Sequence, residues 1–157
     1  MSVRGAREAG QALAEFALIA PIFFIMIFAI IDLGRYVYIT NAFSQAAREG
    51  ARYGAVEQWS FTCPAGVGAP DRFTCTAQET KNRLAGAPAF FNVSVTCKNA
   101  NQAIFLTAAQ CNAGSSLIVT VSTPTSPANQ RFSFFTPLIG QLISPPVVSS
   151  TSQVIVQ

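Results

Sequence analysis

From Phe16 to Ile31 the chain reads FALIAPIFFIMIFAII, sixteen residues without a charge. As a helix this run rises about 24 Å at about 1.5 Å per residue, slightly short of a bilayer core of about 30 Å. The milder QALAEF before it and LGRYVY after it complete a membrane span over about residues 12–36. Past the apolar run, Leu33, Tyr36, Val37, Phe43, Ala47, Ala51 and Gly54 recur at spacings of about three and four, which gives one helical face. Proline is absent from residues 22 to 63, so the pattern predicts one long helix over residues 11–57. Pro21 is expected to kink it, because proline lacks the amide hydrogen and clashes with the preceding turn.

The texture then changes twice. Trp59, Pro64, Gly66, Gly68 and Pro70 mark a loop between the helix and a head over residues 58–157. Thr76 followed by Glu79 is a candidate capping box for a second helix of about ten residues, running to about Ala85 and stopped at Gly86. Beyond Pro88 the segments 90–97, 116–123 and 147–157 are rich in Val, Ile, Thr and Phe, with the partial alternation of strands that bury one face. Between the last two, TPTSPANQRFSFFTPLIGQLISPP holds too much proline for a central strand, yet Phe132, Phe134, Phe135, Leu138 and Ile139 call for burial, so it reads as a packed excursion. The fold class that follows is α+β: a long N-terminal helix, first membrane-spanning and then amphipathic, whose C-terminal half packs on a small antiparallel sheet.

Composition narrows the function. Of 157 residues half are apolar and 11% are charged, against roughly 25% charged in soluble domains. The deficit points to lipid or to buried assembly surfaces. Ten basic residues are scattered from Arg4 to Arg131 and the net charge is +3, which gives nucleic acid no basic patch to bind. With no histidine the chain lacks the commonest general base and metal ligand, and a Ser-His or Cys-His nucleophile is excluded. No enzymatic activity and no cofactor are expected.

Cys63, Cys75, Cys97 and Cys111 are separated by 11, 21 and 13 residues, so no pair has zinc-site spacing. An even count in a small head behind a membrane segment suits disulfides formed outside the cytoplasm, with four buried thiols as the alternative. Four cysteines allow three connectivities. The expectation is Cys63–Cys75 with Cys97–Cys111, because sequential pairing closes two short loops and leaves the strands free.

The sharpest feature is Gly10, Gln11, Ala12, Leu13, Ala14, Glu15 and Phe16 at the mouth of the apolar run. A carboxylate deep in a bilayer costs about 2.5–3.5 kcal/mol on insertion scales and therefore wants a partner. Two readings of Glu15 stand. A cut after Gly10 would create an amine on Gln11 that a neighbouring subunit's Glu15 could meet; alternatively Glu15 rests at the cytoplasmic interface.

GQALAEFALIAP resembles the class III signal of type IV pilins. More narrowly, GQALAEFALIAPIFFIMIFAIIDLGR followed by NAFSQAAREGARYGA resembles the TadE-like minor pseudopilins of tight-adherence pili, over about residues 10–55. The resemblance implies that residues 1–10 are a leader removed between Gly10 and Gln11 by a membrane aspartic prepilin peptidase. It also implies that Glu15, with Phe16 beside it, serves entry into a pilus, and that the head is extracytoplasmic. Implied partners are other pilin or pseudopilin subunits and an inner-membrane assembly platform.

Smaller features carry two readings each. Arg48 and Arg52, with Glu49, form either an inter-subunit charge patch or a solvated helix face. Gly50 and Gly54 allow either close helix packing or ordinary packing on the sheet. The sequon at Asn92, Val93 and Ser94 lies in a predicted strand and reads as chance. Two competing functions remain: an uncut single-pass anchor carrying a binding or sensor domain, and a secreted enzyme. The second is disfavoured by the lack of a small-residue cleavage site after Ile31.

Overall fold

The computed structural model describes residues 3–56, 63, 71–86, 90–99, 101, 103–105, 108–125 and 146–157, with the side chains of 3–10 and Phe105 excepted. The predicted 58–70 loop apart from Cys63, and most of the proline-rich excursion with its phenylalanines, lie outside the described residues. The chain divides into two units, one holding the first helix up to Tyr36 and one holding the described residues from Val37 on.

Helix α1 runs Val3–Ala55, 53 residues, with Pro21 inside it. It starts eight residues before the predicted position, so residues 3–10, read as part of the leader, are helical. Pro21 does not end the helix.

In the second unit, α2 spans Arg72–Arg83. Its start is set by Asp71, not by the predicted Thr76: the Asp71 carboxylate accepts from the Thr74 amide at 2.7 Å, and the Asp71 amide donates to the Thr74 hydroxyl at 3.0 Å. This is a capping box built from Asp and Thr, and it satisfies two amides that the first helical turn leaves without intrahelical acceptors. Thr76 is instead a buried mid-helix residue, and Glu79 binds Arg83 one turn on at 2.7 Å. Gly86 follows the helix with φ of 117°, a left-handed conformation that glycine adopts without steric cost.

The sheet is antiparallel in the order β2-β1-β3-β4, with β1 at Asn92–Lys98, β2 at Ile104–Phe105, β3 at Ser116–Ser122 and β4 at Ser149–Ile155. The three seven-residue strands are those predicted, and the architecture is α+β. In β3 the alternation is complete: Leu117, Val119 and Val121 are buried while the residues between them are half-buried. A one-residue slip would turn all three outward, so the register is held by the core. Across the β3–β4 pair, the Thr120 and Thr151 hydroxyls lie 3.1 Å apart. Beyond the strand ends the Thr123 amide donates to the Val148 carbonyl at 2.9 Å, and the Val148 amide donates to the Thr123 hydroxyl at 3.1 Å. The Gln157 amide donates to the carbonyl of Ala55 at 3.1 Å, which satisfies an acceptor that the end of α1 leaves open.

Two disulfides brace the second unit, Cys63–Cys75 and Cys97–Cys111. The latter joins the end of β1 to the segment before β3, inside a cluster of Cys97, Cys111, Leu117 and Val156 with Phe73 and Val95 against it. Its sequence separation is 14, and a closed loop of about 15 residues is worth about 3 kcal/mol in the chain-entropy model. Replacing both cysteines by alanine should lower the unfolding free energy of the detergent-solubilised protein by at least about 3 kcal/mol in urea titrations, since packing around two buried sulfurs is lost as well. A loss under about 0.5 kcal/mol would contradict this account of what stabilises the sheet.

Candidate functional site: the exposed apolar helix and its carboxylate

Between Gln11 and Met26 every side chain of α1 except Ala20 is exposed. The helix is long and apolar enough to cross a membrane, and only 6% of its most apolar window is buried. That low figure separates it from the core helix of a soluble domain, whose apolar residues would be covered. Phe16 and Leu18 are 69% and 73% exposed. At roughly 25 cal/mol for each Å² of apolar surface kept from water, such a stretch favours lipid or the helices of other subunits.

Gln11 directly follows Gly10 on this helix, and Glu15 and Phe16 come about one turn later. The structure brings two of them into contact: Gln11 Nε2 donates to Glu15 Oε1 at 3.2 Å. Four-residue spacing on a helix makes such a pair possible. Phe16, the next residue, projects a ring that is mostly exposed. At the other end of the apolar run, Asp32 is only 2% exposed and lies 3.7 Å from the Arg35 guanidinium. Opposite charges three apart at the edge of an apolar run were the available signal, since ionisable groups at such depths are usually paired.

In the second unit, Gly50 and Gly54 of α1 face α2. A Cβ on Gly50 would run into the Thr80 hydroxyl, and one on Gly54 into Thr76 and Leu117 Cδ2. The glycine pair thus takes both readings at once, a close helix–helix approach and a contact with the sheet, made within one chain. Thr80 donates to the Thr76 carbonyl at 2.7 Å, which fixes its hydroxyl against Gly50. Arg48 is exposed and folds back on its own helix, Nε donating to the Ser44 carbonyl at 3.2 Å and Nη2 to its hydroxyl at 2.9 Å. Arg52 and Glu49 are exposed as well, the solvated-face arrangement. Across from them the hydrogen bond and charge of Glu79, with a smaller contribution from Glu49, hold Arg83 more firmly protonated than an ordinary arginine.

Among the described residues no group of three or more His, Cys, Asp or Glu side chains could hold a metal ion. What the site offers chemically is a carboxylate at the head of an exposed apolar helix, which suits association. No curated protein and no solved structure matches the chain. Residues 10–52 match the family model described as TadE-like protein, so the stretch that carries Gly10, Gln11, Glu15, Phe16 and the apolar run is similar to that family.

Proposed function

We propose that this chain is a pilin-like structural subunit, a TadE-like pseudopilin of a tight-adherence pilus. It is inserted in the inner membrane by α1 with the head outside the cytoplasm, and it acts in pilus assembly and surface adhesion. The observation that carries the reading is the coincidence of the TadE-like match with an exposed apolar helix headed by Glu15. In this reading a prepilin peptidase cuts between Gly10 and Gln11, after which the subunit leaves lipid for a bundle of pilin and pseudopilin helices through an inner-membrane assembly platform. The bond to be cut lies within α1, so the helix must open locally for cleavage. Gly5 and Gly10 ease this, each weakening a helix by roughly 1 kcal/mol relative to alanine.

One observation favours a second reading. Glu15 already has a partner in its own chain, Gln11, so an uncut membrane anchor carrying a binding or sensor head would not leave the carboxylate bare. Gly10→Val separates the two. A pilin-like subunit should keep its leader when Gly10 is bulky and should accumulate in the membrane fraction, visible as a slower-migrating band. An anchor should show the same size and location in both forms.

A further inference from the structure

We propose that Glu15 guards the amine of Gln11 against cyclisation. The inference rests on the reading that the chain is cut after Gly10. A freed N-terminal glutamine carries an amine and a carboxamide that can react with each other. The amine nitrogen attacks Cδ, an N–Cδ bond forms, the Cδ–Nε2 bond breaks, and Nε2 departs as ammonia with a proton taken from the amine. The product is a five-membered lactam, and neither oxidant nor reductant is involved. Its nitrogen is an amide and carries no positive charge, so a cyclised subunit has lost the group that a neighbouring Glu15 would pair with.

The structure places the leaving nitrogen in the grip of Glu15, Nε2 donating to Oε1 at 3.2 Å across one helical turn. A glutamine side chain reaching toward the residue four positions on is extended along the helix. Ring closure needs the same side chain folded back on its own nitrogen, and it cannot do both. On the same face, three and four residues past Glu15, Leu18 and Ile19 are exposed apolar residues, and in a membrane they would thin out the water that competes for the hydrogen bond, which strengthens it. Glu15 therefore has two successive tasks on one carboxylate: it keeps its own chain's amine intact, then pairs with the amine of another subunit.

The test is made on full-length protein in cells that carry the processing peptidase. Free amines are dimethylated at lysis, before digestion, so that any ring formed during handling is distinguishable from one formed in the membrane. Mass spectrometry of the N-terminal peptide then gives the cyclised fraction. Wild type should be mainly dimethylated Gln11, and Glu15→Ala should raise the cyclised fraction about three- to tenfold, the factor expected for a partly solvated hydrogen bond to a charged group. Glu15→Gln, whose neutral amide oxygen still accepts from Nε2 but more weakly, should fall between wild type and Glu15→Ala. Gln11→Asn should keep a free amine throughout, since its ring would have four members. Equal cyclised fractions in cut wild type and cut Glu15→Ala would overturn the guard while leaving the cleavage reading intact. A Met1 terminus in every form would overturn the cleavage reading, and the guard with it. Should Glu15→Ala escape cleavage, cut wild type held in micelles should cyclise more slowly than the same protein in urea, by a similar factor; equal rates would overturn the proposal.

Discussion

Glu15→Ala is expected to insert into the membrane at least as well as wild type and to be absent from filaments. Removing a carboxylate from the head of the apolar run removes a cost of up to about 2.5–3.5 kcal/mol for any depth at which it is buried, so membrane retention should hold or improve. Inside a bundle the same carboxylate would be worth more. Helices packed against one another exclude water, and a charge-assisted hydrogen bond to an amine there contributes about 1.5–3 kcal/mol for each subunit. Apolar helices slide past one another at little cost, whereas a buried ion pair favours one axial position. Glu15→Gln preserves shape and one acceptor, so it should keep insertion and still lose most incorporation if charge is what sets the register. The comparison is between membrane and sheared-filament fractions of the three forms. Equal incorporation of all three would return Glu15 to an ordinary interfacial residue satisfied by Gln11.

Gly54→Leu is expected to have the largest effect on the head. The space beside Gly54 is taken by Thr76 and Leu117, both fully buried, and on the sheet side Leu117 is locked by its place in β3. Overpacking a well-filled core usually costs about 1–3 kcal/mol. Here a whole leucine has no volume to enter, so a loss of about 3 kcal/mol or more is expected, a large share of the roughly 5–15 kcal/mol that stabilises a domain. Gly34 supplies the contrast: a Cβ there meets nothing within 4 Å, so Gly34→Ala should be neutral or slightly stabilising through its better helix propensity. Urea titration of detergent-solubilised protein reads both. Similar midpoints for Gly54→Leu and wild type would mean that the α1–α2 approach does not stabilise the head.

Much of this was legible because periodicity and burial agree. The β3 segment SLIVTVS alternates in sequence and alternates in burial; of the predicted helical face, Phe43, Ala47, Ala51 and Gly54 are buried, whereas Leu33 and Val37 are exposed. The start of α2 is ambiguous in the sequence because Thr76 and Glu79 have the spacing of a capping box as well. A local pattern cannot say that Thr76 is needed against Gly54, whereas Asp71 has its carboxylate free to meet the Thr74 amide. The partner of Gly50 was invisible for a similar reason: Thr80 is 30 positions away in the chain, and nothing local links a small residue to the one that fills the space beside it. The Gln11–Glu15 contact is legible in its four-residue spacing.

The central claim is that the subunit is cut after Gly10 and enters a filament through the helix so exposed. N-terminal sequencing of the protein recovered from sheared filaments and, separately, from membranes tests it most directly. The account predicts chains beginning at residue 11 in the filament fraction, as Gln11 or its cyclised form, with any Met1-initiated chains confined to the membrane. Met1 as the sole terminus, with no protein in the sheared fraction, would contradict it.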